Sequence, residues 1–268
     1  MIATGPFLRA VIGINAAGGL LSALELLPIH RVFQDGGLLS WKVARLQRRR
    51  AVQPVLSLGG SIFAWPGMLG VLSARIASAL ACVVCACLGP VPAPLLAVYV
   101  VIGCLLVLRT PLALHGGDQF LHITAVACLV TVVSGGSLAG EIGLFFLASQ
   151  LSLVYATSAA VKMISPGWRS GRYLPEILGT ATLGRRSVYA FLTVGQRRAK
   201  WASRLVTYGE LLCCLAPWSP PRIAWLLVAA AASFHVAVAA IMGLNTFTFA
   251  FAATFPAAIY TSRVLYRG

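Results

Sequence analysis

Only six acidic residues stand against 21 Lys and Arg in this 268-residue chain, so a carboxylate inside an apolar stretch is a marked position. Glu210, within TYGELLCC, is the most deeply placed of them. Carboxylates inside a bilayer face a partner or a wet cavity, and Lys162, Arg109 and His235 are the available partners. Lys162 comes just before the end of an apolar run that finishes near Met163. A cation costs about 2.5–3.5 kcal/mol at the centre of a membrane helix, but at the rim it can snorkel to water. A Lys162–Glu210 pair therefore has two readings: a structural ion pair, or an acid–base pair that moves protons.

Asp118 and His122 are spaced to share one helix face. A metal site would need a third ligand, His115 or His235. The alternatives are a polar site at a membrane rim, or a helix start at which Asp118 meets free amides and the positive dipole end. His235 lies in the middle of AASFHVAVAA, where a single histidine is expected to hydrogen-bond between helices. Tyr155, Ser158 and Lys162 fall on one face of an otherwise apolar helix, and that face should point into the bundle. Phe247, Phe249 and Phe251 alternate by two, which spreads them round a helix as packing residues.

Motifs of soluble enzymes are absent: there is no nucleophile elbow, P-loop, dinucleotide fingerprint or HExxH. The seven cysteines all sit in apolar runs. Cys82 and Cys85 have redox-pair spacing but lack the strand–loop–helix setting and electropositive surroundings of a reactive pair, which leaves packing between helices.

The elements that must position these residues are membrane helices. Charged residues make up 10% of the chain and hydrophobic ones 59%, with mean hydropathy +0.88. Soluble domains carry about 25% charged residues, so this chain cannot cover a soluble surface. The fold class is all-α, a polytopic transmembrane helix bundle in one domain spanning 1–268, in the cell membrane. Eight spans are predicted, at 7–28, 72–89, 94–109, 118–135, 140–163, 203–218, 222–242 and 245–262, each near the length a bilayer needs. Turns fall at Pro90–Pro94, Gly135-Gly136 and Pro220-Pro221. Residues 53–72, broken by Gly59-Gly60, Pro66 and Gly67, are expected to be interfacial or re-entrant. The net charge of +15 is concentrated in 31–50 and 162–204, including Arg48, Arg49 and Arg50. That is the pattern of loops on the cytoplasmic side attracted to anionic lipid headgroups, not of nucleic-acid binding. Eight spans place both basic loops on one face and both termini on the other. The YLPEIL and SVYAFL pieces of the 164–202 loop are expected to be amphipathic helix in the interface.

The order Arg109, Gly116-Gly117-Asp118, Lys162 with Ser165-Pro166-x-Trp168-x-x-Gly171, Glu210, His235 and the Asn245–Pro256 segment resembles the HTTM family. This is the horizontally transferred transmembrane domain related to the vitamin K-dependent gamma-carboxylase. The resemblance covers nearly the whole chain, and its most specific piece is Lys162–x5–Trp168–x2–Gly171. It implies a helical membrane domain in which Trp168, Gly171, Gly117 and Arg109 are structural positions and Lys162, Glu210, Asp118 and His235 are candidate catalytic ones. It also implies a reduced quinone of vitamin K type as cofactor, with oxygen and carbon dioxide as cosubstrates. A related group, the sporulation-delaying protein B family, takes part in maturing a secreted peptide toxin, which implies a secreted peptide as partner. The chain departs from the carboxylases at three points. Met163 stands where their catalytic second lysine is, Gly116-Gly117-Asp118 replaces Asn-Asn-His, and no large extramembrane domain follows the bundle before Gly268. The expected role is therefore assistance in maturation or export of a small secreted peptide. The alternatives are a quinone-linked membrane enzyme using Lys162 and Glu210, and a transporter or scaffold.

Overall fold

Apolar runs of this length satisfy their backbone groups in a bilayer only as helix, and helix is what they form. A computed structural model describes residues 2–47, 60–110, 116–180 and 182–267, and no strand occurs among them. The main elements are α1 (Gly5–Leu26), α2 (Gly67–Leu88), α3 (Ala93–Arg109), α4 (Gly116–Ser134), α5 (Gly136–Ile164), α6 (Gln196–Cys213), α7 (Pro221–Met242), α8 (Asn245–Ala252) and α9 (Phe255–Leu265). Arg48, Arg49, Arg50, His115 and the first part of the 53–72 segment lie outside the described residues.

Five helices, α1, α2, α4, α5 and α7, are long and apolar enough to cross a membrane. The other three expected spans also fall on helices, but with differences that have physical causes. α3 is apolar and stops at 17 residues. α6 begins at Gln196, not at 203, because Arg197, Arg198 and Lys200 are good helix formers. The 245–262 span is two helices, since Pro256 at the start of α9 has no N–H to carry the ladder onward. Thr254 Oγ1 donates to Phe251 O at the break, 2.8 Å. α2 begins at Gly67, directly after Pro66, so residues 67–72 belong to a membrane helix and not to an interfacial segment.

The punctuation matches the residue types. Pro sits in the first turn of α1, α3, α7 and α9, where its missing N–H costs nothing. Gly135 and Gly136 take φ of 65° and 80° between α4 and α5, a left-handed pair open to glycine. Between α5 and α6 run short helices at Pro166–Ser170, Tyr173–Leu178 and Arg186–Thr193. YLPEIL and SVYAFL are therefore helical, the second burying Leu192 while exposing Phe191.

α1 lies along α2 and also touches α4, α8 and α9. Its small residues allow the approach: a Cβ on Gly18 would come within 2.6 Å of Phe249 Cβ. Around the other half of the molecule, α4, α5, α6, α7 and α8 each pack on the next, and α8 returns to α4. The candidate site lies inside this ring.

Arg109 ends α3 as a fully buried clamp. Its Nε donates to Phe63 O (2.8 Å) and its Nη2 to Leu39 O (2.6 Å). The guanidinium also stands over the rings of Phe33 and Trp41. It ties two connecting segments to the end of α3 and does not reach Glu210.

Candidate functional site

Lys162 is in the last turn of α5, where a cation suits the helix dipole. It does not snorkel. Its side chain turns inward and is 14% exposed, with Nζ 2.6 Å from Glu210 Oε2 and 2.5 Å from Ser158 Oγ, one turn back on α5. The ammonium also lies 5.2 Å from the centre of the Trp168 ring. Glu210, 10% exposed, comes from the last turn of α6. Of the three partners the sequence offers it, Lys162 is the one it meets.

Two features hold α5 and α6 at this register. Ser203 Oγ donates to Trp168 O at 2.8 Å, joining α6 to the turn that follows α5. Gly171 closes that turn at φ 82°, with its backbone against Lys200. The Lys162–Trp168–Gly171 motif is thus one structural unit: a helix end, an aromatic over the cation, and a left-handed turn that seats α6.

A cavity of about 400 Å³ opens from the ion pair into the ring of helices. Tyr155, Ser158 and Lys162 line it from α5, so the polar face of that helix points inward as expected. His235 lines it from α7, 3% exposed. Tyr155 Oη and His235 Nε2 are hydrogen-bonded at 2.8 Å, and the imidazole stacks on Phe251 at 3.9 Å between centroids. His235 Nδ1 is buried with no hydrogen-bond partner among the described residues. The cavity thus offers an ammonium–carboxylate pair, a phenol–imidazole pair and a wall of aromatic rings. Phe247 and Phe251 share one face of α8 and line it together, while Phe249 turns toward α1. Gly117 has a defined part in this: a Cβ there would meet Phe247 Cδ2 at 2.9 Å.

Asp118 is not in this cavity. Residues advance about 100° per position round a helix, so Gly116, Gln119, Phe120 and Ile123 of α4 face the Lys162 cavity while Asp118 and His122 face away. Asp118 and His122 share a face, as their spacing requires, and line a smaller cavity of about 90 Å³ with Arg75. Asp118 and His235 consequently belong to separate sites. No group of three His, Cys, Asp or Glu side chains that could hold a metal occurs among the described residues.

Sequence reasoning flagged Asp118 and His122 but missed Arg75, Tyr99 and Asn15, which complete this second polar cluster. Arg75 Nη1 donates to Tyr99 O at 2.8 Å, and its guanidinium lies over the Tyr99 ring at 3.8 Å. Tyr99 Oη donates to Asn15 O and Oδ1, and Asn15 Nδ2 donates to Leu121 O. Cys104 Sγ and His122 Nε2 are 3.2 Å apart. Gly19 marks the site in sequence only in retrospect, since a Cβ there would come within 2.5 Å of Arg75 Nη2.

Comparisons with protein-family models, with curated proteins and with solved structures give no match. The functional reading rests on the site.

Proposed function

We propose that this integral membrane protein binds a lipid-soluble ring compound bearing hydroxyl or carbonyl groups in the Lys162 cavity, and that Lys162 and Glu210 exchange protons with it. The observation that carries this reading is the convergence of Lys162, Glu210, Tyr155 and His235 on one cavity of about 400 Å³. Packing residues have no need of an open cavity between them.

A reduced quinone fits the residues present. Phe120, Phe234, Phe247 and Phe251 offer faces for a planar ring, and His235, which lines the same cavity, has an Nδ1 left without a hydrogen-bond partner among the described residues. When bound, such a quinol would supply an acidic hydroxyl and two reducing electrons. Glu210 is the group that accepts a proton, and the Lys162 ammonium holds that carboxylate in place and can return one. Tyr155 fixes the His235 ring through Nε2. The helix wall limits water, which strengthens each of these interactions. Position 163 bears on the family reading: Met163 is 42% exposed and does not line the cavity, while Lys162 does. The absence of a lysine at 163 therefore leaves the Lys162–Glu210 pair of the cavity in place.

The membrane arrangement proposed is eight crossings in the cell membrane. Its support is the way α3 folds back along α2 and α4.

The HTTM relationship is likewise proposed, on the coherence of the Lys162, Trp168 and Gly171 turn. Under it, assistance in maturing a small secreted peptide is the second reading, and deletion of the gene should then leave an unprocessed precursor.

The direct test is binding of a short-chain naphthoquinol to the purified protein, followed by tryptophan fluorescence. Binding should be at least tenfold weaker in Lys162→Ala and in His235→Ala. Equal binding in both variants, or no binding by the folded wild type, removes the proposal.

A further inference from the structure

A separate groove of about 430 Å³ lies between α1 and α7, floored by α8 and α9. Its Arg263 end is far from Lys162, while its inner end at Ala252 adjoins Phe251 of the Lys162 cavity. Tyr260, just before the groove's Arg263, packs on Phe145 near the start of α5, and Lys162 is some 25 Å further along that helix at 1.5 Å per residue. Its walls include Phe7, Ile14, Trp225, Val228, Phe255 and Ile259, and the charged side chain among its lining residues is Arg263 at one end. The guanidinium sits 5.9 Å from the Phe7 ring centre. Trp218, Trp225 and Tyr266, between 39% and 52% exposed, cluster at the same end, as aromatic residues do at headgroup depth.

We propose that this groove binds a glycerophospholipid with an anionic headgroup, one acyl chain lying between α1 and α7 and the phosphate on Arg263. Its dimensions favour a single chain. The span from Phe7 to Ile14 is two helical turns, about 10 Å, so a volume of 430 Å³ gives a width of roughly 7 Å. A helix from a second copy, about 10–12 Å across, is too wide. An extended peptide would leave its amides without hydrogen-bond partners against an apolar wall. An acyl chain has no such groups, and the phosphate of the lipid headgroup meets the Arg263 cation.

The test is native mass spectrometry of the full-length protein released from micelles that contain phosphatidylglycerol and phosphatidylcholine in equal amounts. The wild type should retain one phosphatidylglycerol. Arg263→Ala, at an exposed position, should reduce retention at least fivefold by removing the headgroup contact. Ile14→Trp should do the same by filling the inner end with Arg263 intact. Arg222→Ala, on the same end but outside the groove, should leave retention unchanged. Unchanged retention in either groove variant, an equal loss in Arg222→Ala, or a protein dimer in place of the lipid adduct overturns the proposal.

Discussion

Lys162 Nζ meets Glu210 Oε2 at 2.6 Å across the α5–α6 interface, and both side chains are nearly removed from solvent. Removing one partner of such a pair strands the other charge, at about 3–5 kcal/mol. Lys162→Ala should therefore lower stability by about 3 kcal/mol. The double variant Lys162→Met, Glu210→Leu should recover most of that loss. Denaturant unfolding in mixed micelles measures both. If the double variant folds well and still fails to bind naphthoquinol, the pair serves the ligand as well as the fold.

Gly171 carries φ 82°, and a Cβ there would meet the backbone N and Cα of Lys200 at 2.5 and 2.6 Å. Gly171→Ala should cost about 1–3 kcal/mol through backbone strain and the clash. The damage should be local, appearing as faster proteolysis between residues 172 and 195 before any loss of the α1–α2 core.

Gly117→Leu should act on the cavity and not on the ion pair. Its side chain would push Phe247, which a Cβ already approaches at 2.9 Å, into the space between α4 and α8. Ligand binding should fall at least tenfold, and Phe247→Ala in the same background should recover part of it by relieving the clash while losing one ring face.

Tyr155→Phe leaves His235 Nε2 without its 2.8 Å partner. An unsatisfied buried group of this kind costs about 1–3 kcal/mol. Thermal unfolding should register that loss, and histidine NMR should show a changed tautomer signature at His235.

Arg109 spans two carbonyls, Phe63 O and Leu39 O, with one guanidinium. Arg109→Lys should fail to replace it, because a lysine offers a single point charge where a fork is needed. Hydrogen exchange should then rise in residues 30–44 and 60–66 and stay unchanged in α5 and α6.

Much of the site was legible because cost marks it. In so apolar a chain, Lys162, Glu210 and His235 stand out by type, and helical spacing places Tyr155, Ser158 and Lys162 on one face. Two features misled. Asp118 carries the same signal of a polar residue at a span, but its phase on α4 turns it to the other cavity. Arg75 was passed over because its cation is accommodated by Tyr99 and by the space left at Gly19 and Gly103, which lie on α1 and α3 and are all distant from Arg75 in sequence.

The sequence by itself determined the class of the molecule: runs too apolar for water must be helices in a membrane, and Gly and Pro set where most of them turn. It also determined which residues would be costly to bury. Tertiary structure alone decided which of them meet. Lys162 reaches Glu210 because the Gly171 turn and the Ser203–Trp168 bond set α6 in register with α5, and His235 joins them because α7 and α8 complete the ring. Spacing along one helix fixes a face, but the distance between faces on different helices depends on packing, which local sequence does not encode.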